Sequence, residues 1–238
     1  MKPVLLGLAT LLLPLANPQQ QSSAAPAARH MQQLFYRGKA QARQSPANRA
    51  NKAAIIARVI KAEGGYQNYP DDPANKEVGT NWGITPATYK KYTGKQPTQQ
   101  TMKALTSRQA AAIYAQIWQD AGMNIVPAEA AEALFDFYIN TPHTCLQIVE
   151  QLTGTKGSAK KLAIDSAAAK IIAEQDASLF AQKLTLARKE YYLYRAGKYN
   201  GGYWHRFFKK TGKSGSSKNA RYLGGWLART ETLLAALQ

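Results

Sequence analysis

From about position 49 onward, apolar residues recur with the spacing of helices rather than strands. Ile56, Val59 and Ile60 mark one face of a predicted helix over 49–63. Ala110, Ile113, Ile117 and Trp118 do the same over 106–121, behind a Thr106-Ser107 start that suits an N-cap. A third segment, 127–140, opens on a proline in its first turn and carries Ala131, Leu134, Phe135 and Tyr138. The pattern continues through 144–153, 160–175, 178–196 and 220–237. Gly64, Gly94, Gly122, Gly154 and Gly197 stand where helices should stop, and Thr85-Pro86 reads as a cap followed by proline at the first helical position. One long irregular stretch, 64–84, interrupts the pattern with six Gly or Pro residues, three acids, two Tyr and a Trp. A loop of that length inside a compact domain is usually functional, and a short hairpin can lie within it. The predicted fold is mainly α, with this loop or small hairpin following the first core helix.

The N-terminus departs from the helical pattern. Residues 1–18 read as a secretory signal: Lys2 supplies a positive start, and Val4 to Ala16 is an apolar run too short to span a bilayer as a helix. Residues 19–48, rich in Gln, Ala, Pro, Ser and Arg, have the composition of a flexible linker. The chain is therefore expected to be exported, to the periplasm or beyond. No second long apolar segment follows, so no stable membrane insertion is expected after the signal is removed. Cys145 is the only cysteine, and its apolar surroundings predict a small buried thiol rather than a nucleophile.

Charge narrows the choice of partner. Residues 1–62 hold nine Lys/Arg and no acid, residues 63–150 hold six bases and nine acids, and residues 151–238 hold sixteen bases and five acids. A basic tail beside a slightly acidic centre points to an anionic polymer as partner, with a different task for the centre. Nucleic acid, anionic lipid and cell wall all carry the right sign, and export argues against nucleic acid. The basic third also holds many aromatics, among them Tyr199, Tyr203, Trp204, Phe207, Tyr222 and Trp226. Such residues stack on sugar faces, or they build the core of the last helices.

Glu63 is the first acid in the chain. It follows Ile56, Val59 and Ile60 by seven, four and three residues, which places it on the apolar face of its own helix. Gly64-Gly65 place it in the last turn as well. Burial disfavours a carboxylate, and so does the negative end of the helix dipole. A carboxyl kept protonated by both effects can donate a proton to a leaving group. Asp71 and Asp72 follow in the loop, where a second carboxylate would complete a glycoside-hydrolase pair, although Pro70-Asp71-Asp72-Pro73 is also a good turn by itself. Asp136 lies among Phe135, Phe137 and Tyr138 and must find partners there, with a buried structural bond favoured over catalysis. Asn140, four residues on, shares its helix face, so the two can form one polar network reaching the cleft. His30, His143 and His205 have no ligand spacing, and neither a phosphate loop nor a Ser-His-Asp set is visible. No metal and no cofactor are expected.

Glu63-Gly64-Gly65-Tyr66-Gln67-Asn68 and Asn81-Trp82-Gly83-Ile84-Thr85 resemble the opening motif of glycoside hydrolase family 108, the secretion-activator-type muramidases. Leu134-Phe135-Asp136 with Asn140 resembles that family's F-D-x-x-x-N helix, and Leu223 to Arg229 resembles the G-W-L-x-R close of its peptidoglycan-binding segment. The resemblance covers about residues 50–234. It implies a lysozyme-like helical fold, muramidase activity on peptidoglycan glycan strands and Glu63 as catalytic acid. It also implies a catalytic domain over 49–150, with a helical peptidoglycan-binding segment over 151–238 packed on it, and a monomer is expected. Asp72 matches the family's Asp-Pro position, whereas Asp71 matches the Glu-to-Asp separation of phage-type lysozymes. Thr80 and Thr85 are candidates for positioning a water, with a plain helix cap as the competing role of Thr85. Tyr66, Asn68, Asn81, Trp82, Asp136 and Asn140 are candidate substrate contacts. The pattern departs from the family at Tyr69 and Ala74-Asn75, and three extra residues lie between Asp72 and Thr80. Two other activities fit the same residues. A lytic transglycosylase needs only one acid/base, and a basic wall-binding protein could keep the fold without catalysis.

Overall fold

Helices α1 (Pro46–Glu63), α2 (Pro86–Thr93), α3 (Gln99–Lys103), α4 (Ser107–Asp120), α5 (Ala128–Asn140) and α6 (Pro142–Thr153) form the first part of the chain in the computed structural model. Then follow α7 (Ser158–Lys161), α8 (Ser166–Glu174), α9 (Ala177–Arg195), α10 (Tyr203–Lys210) and α11 (Ala220–Ala236). The structure describes residues 46–68 and 77–237. The predicted signal, nearly all of the predicted linker, and Asp71 and Asp72 lie outside the described residues. No described helix is long and apolar enough to cross a membrane. The fold is mainly helical, as the periodicity predicts.

Local chemistry starts these helices where expected. The Thr106 hydroxyl accepts from the Gln109 backbone N–H at 3.2 Å, while the Gln109 side chain accepts from the Thr106 N–H at 2.8 Å. Two otherwise orphaned donors of the first turn of α4 are satisfied in this way. Thr85 caps α2, accepting from the Thr88 N–H at 3.1 Å, with Pro86 in the first position.

The core forms around α5, which is buried on almost every side: Ala130, Ala131, Ala133, Leu134, Phe135 and Phe137 are all enclosed. A helix apolar all round belongs in an interior. Phe135 packs on Tyr114 and Trp118 of α4, with ring centroids 6.4 and 4.9 Å away, and Phe137 packs on Tyr191 and Tyr192 of α9. Truncating either Phe to Ala removes contacts worth about 3–5 kcal/mol. Asp136, between them, is the polar exception among the buried side chains of this helix.

Two elements differ from the periodicity reading. The predicted helix over 160–175 is two helices, α7 and α8, separated by Leu162 in a left-handed conformation at φ 54°. The break is anchored from outside: Tyr138 donates to the Leu162 carbonyl at 2.7 Å, and the Ile164 N–H donates to the Ala121 carbonyl at 2.9 Å. Asp165 then caps α8 through the Ala168 N–H. The aromatic run after Gly202 is itself helix α10, with Phe208 and His205 facing inward.

From Ala42 on, the chain forms one compact unit. Position 150/151 falls inside α6, and the Glu150 carboxylate accepts from the Gly157 and Ala159 N–H groups at 2.7 and 3.0 Å. Residues on both sides of that position share one core, because α9 is a main packing partner of α5.

Candidate active site

Glu63 is the last residue of α1. Gly64 turns the chain out of the helix at φ 73°, its N–H donating to the Ile60 carbonyl at 3.2 Å. The Glu63 side chain keeps 22% of its surface exposed, so it is shielded yet reachable. Its oxygens have one partner among the described residues. Arg229, from α11, donates through Nη1 to Glu63 Oε1 at 2.7 Å.

That arginine belongs to a longer charged chain. Arg229 Nε donates to both oxygens of Asp136 at 3.0 Å, and Nη2 donates to Oδ1. On the far side Arg188 donates through Nη1 to Asp136 Oδ2 at 2.6 Å and through Nε to the Tyr192 hydroxyl at 3.0 Å. Arg188 is 1% exposed and Asp136 is 6% exposed. Burial alone would raise the Asp136 carboxyl, but the charges and hydrogen bonds of Arg188 and Arg229 outweigh it and hold it below the ordinary carboxylate range. Burial likewise pulls the Arg229 guanidinium down, and the charges of Asp136 and Glu63 more than reverse this. Two acids and two arginines leave the chain formally neutral when Glu63 is ionised.

The returning loop closes over Glu63 from the other side. Gln67 and Thr80 pair through two backbone hydrogen bonds of 2.8 Å, and Asn81 and Ile84 pair across the next turn. These isolated pairs are the small hairpin expected from sequence. The Asn81 amide donates to the Met102 and Leu105 carbonyls at 2.8 and 3.2 Å, and the Trp82 indole N–H donates to Leu105 at 2.9 Å. These bonds staple the turn to the end of α3. Gly83 then lies against the acid: a Cβ there would stand 2.6 Å from Glu63 Cγ and 2.5 Å from the Tyr114 hydroxyl, at φ 72°. Only glycine fits both the backbone and the gap. Tyr114 donates to the Trp82 carbonyl at 2.9 Å. Burial, and then the Glu63 charge, push its phenol well above the ordinary tyrosine range.

Glu63, Gly83, Thr88, Tyr114, Tyr138 and Asn140 face one cleft of about 240 Å³. Burial pushes the Tyr138 phenol up to about 12, so both phenols present protons rather than charge at neutral pH. Lys91 and Tyr92 stand in the cleft wall, where Tyr92 donates to Asp120 at 2.9 Å. A second, wider groove of about 710 Å³ runs along the opposite part of α1 and α4, past Ile56, Ile60, Trp82 and Ala111. It is mainly apolar, and no carboxyl group lines it among the described residues. Among the described residues no three His, Cys, Asp or Glu side chains gather as metal ligands.

The residues named from sequence therefore separate. Glu63 and Asn140 share the cleft, and the Asn140 amide donates to the backbone carbonyl of Asp136 at 2.8 Å rather than to its carboxylate. Asp136 is committed to two arginines, which makes it a support rather than a sugar contact. Asn81 is 4% exposed, and its amide is used inside the fold. Trp82 lies on the wider groove, and Tyr66 packs on Gly79 and donates to the Val78 carbonyl at 3.1 Å. Thr80 sits in the backbone pairing and Thr85 in the helix cap. Asn68 is exposed at the loop edge. Arg229, Arg188 and Tyr114 carry much of the site's electrostatics without having been singled out. Arg229 stands in the G-W-L-x-R motif, but nothing in that motif says that it faces Glu63.

Residues 56–141 match the family model described as glycosyl hydrolase 108. This segment belongs to glycosyl hydrolase family 108. The family 108 segment begins on the apolar face of α1 and ends just after Asn140, so it contains Glu63, the loop, Tyr114 and Asp136, while Arg188 and Arg229 lie beyond it. The match supports a glycoside hydrolase by class. Its fold is similar to the one in the structure of Brucella abortus SagA, with a TM-score of 0.58, 23% identity, and coverage of 79% of this chain and 94% of that one. No curated protein matches the chain.

Proposed function

We propose that the protein is an exported N-acetylmuramidase that hydrolyses the MurNAc-β-1,4-GlcNAc bond of peptidoglycan, with Glu63 as general acid. The observation that carries this is the placement of Glu63: a shielded carboxyl in a cleft, with one oxygen held by Arg229 and the other unbonded among the described residues. The family 108 match over the same segment supports the reaction class. In this reading protonated Glu63 gives its proton to the glycosidic oxygen as the C–O bond breaks, and the carboxylate left behind is received by Arg229. The second carboxylate is Asp72 by motif or Asp71 by spacing. It activates water or offsets the oxocarbenium-like charge of the sugar. The 49–150 part supplies the chemistry, and the basic 151–238 part holds the wall.

The test is cleavage of purified peptidoglycan by wild type, Glu63→Gln, Asp72→Asn and Asp71→Asn. The amide fills the same space but has no acidic proton, so Glu63→Gln should fold normally and lose about 10²–10⁴-fold in rate. Retention of more than about a tenth of the rate would remove Glu63 as the acid. Asp72→Asn should cost more than Asp71→Asn. Product mass separates hydrolysis from lytic transglycosylation, since an anhydro product lacks one water.

A further inference from the structure

We propose that Arg229, on the last helix, is the positioning residue for the Glu63 acid: it holds one carboxyl oxygen and leaves the other free to carry the proton. This rests on the reading of Glu63 as the acid.

The geometry is built in steps. Arg188 is enclosed between the Phe137 and Tyr192 rings, with its guanidinium carbon 5.4 and 5.3 Å from their centroids, and it fixes Asp136 Oδ2 at 2.6 Å. Asp136 in turn takes Nε and Nη2 of Arg229, which sets the plane of that guanidinium. A planar fork held on one edge has few directions left for its remaining N–H groups. Nη1 points to Glu63 Oε1 at 2.7 Å. Gly83 from the loop and Tyr114 from α4 bound the same side chain. The Glu63 rotamer is therefore defined by four helices and a turn, and Oε2, unbonded among the described residues, is left for the proton.

Charge works in the same direction. Donation of the proton from Oε2 to the leaving oxygen converts a neutral carboxyl into an anion already in contact with a cation, so the interaction strengthens as the reaction proceeds. Among the described residues, the other titratable groups around the acid are Tyr114 from α4, Asp136 and Tyr138 from α5, and Lys91 and Tyr92 from α2. Of these, Asp136 is already compensated by Arg188, and Tyr114 and Tyr138 are held neutral.

The experiment compares Arg229→Met, Arg229→Lys and Glu63→Gln with wild type on a soluble peptidoglycan oligomer. It measures kcat, KM and the pH–rate profile, with circular dichroism and thermal melting as fold controls. Misplacing a reacting group by about 1 Å costs about 10²-fold. Arg229→Met should therefore lose about that much in kcat, with KM within about twofold and the alkaline limb of the profile moved to higher pH. Arg229→Lys keeps the charge and loses the fork, so kcat should fall about tenfold with the limb in place. A merely structural arginine would lower melting temperature and active fraction without moving the limb. Wild-type kcat and profile in a folded Arg229→Met would overturn the proposal. If that variant does not fold, wild-type kcat in Arg229→Lys overturns it equally. Full activity of Glu63→Gln would instead sink the acid reading on which it rests.

Discussion

Replacing Asp136 by Asn keeps the shape of the side chain and removes the charge between two arginines. In the native protein Arg188, 1% exposed, depends on Asp136 at 2.6 Å as its anionic partner, and Arg229 binds it through two nitrogens. The Asn oxygen can still accept from one guanidinium, but its amide group then turns an N–H toward the other. Removing one partner of a buried ion pair costs about 3–5 kcal/mol, because the remaining charge is left uncompensated. Arg229 retains Glu63, so most of that penalty falls on Arg188. For a unit of this size, 1 kcal/mol moves the melting temperature by about 2–4 °C, so the variant should melt about 6–20 °C lower. The pH dependence follows from the depressed Asp136 carboxyl. Its stabilisation is fully present above the unfolded carboxyl value of about 3.9 and is lost as pH falls through the lower folded value. Wild type should therefore lose stability progressively below about pH 4, and Asp136→Asn should lack that part of the acid limb. The assay is urea unfolding followed by circular dichroism from acid to neutral pH, for both proteins. A variant within about 1 kcal/mol of wild type at pH 7 would refute the reasoning, since it would mean that the arginines do not need the charge.

Gly83→Ala should destabilise the fold by about 1–2 kcal/mol for the left-handed backbone and about 1–3 kcal/mol for the overlap with Tyr114 and Glu63. It should also lower the cleavage rate, because the new methyl displaces the acid; unchanged stability and rate would show that the turn relaxes freely. Binding to insoluble wall should weaken as salt rises, since exposed charge is screened within about 8 Å at physiological ionic strength. Neutralising the exposed Lys209, Lys210 and Lys218 should weaken it further. Salt-independent pull-down by both proteins would mean that sugar stacking holds the complex.

The helical class, most helix starts and the position of Glu63 follow from sequence, because spacing, capping residues and glycine stops act within a few residues of one another. Ile56, Val59 and Ile60 put Glu63 on an inward face at a helix end without any knowledge of its neighbours. The glycine motif around positions 63–85 marks the site for a comparable reason: Gly83 is required by a backbone angle and by a close approach, and both leave a trace in residue type. The split of 160–175 was not legible, because the bonds that pin Leu162 and Ile164 come from Tyr138 and Ala121. Nor was the partner of the acid. Arg229 stands 166 residues from Glu63, and Arg188 stands 52 from Asp136, separations over which no periodicity carries information. Local pattern determined that a carboxyl would stand half-buried at the end of α1. Only the packing of α5, α9 and α11 decided which cation would meet it, because a shielded charge is answered by whatever the tertiary fold brings within hydrogen-bonding distance.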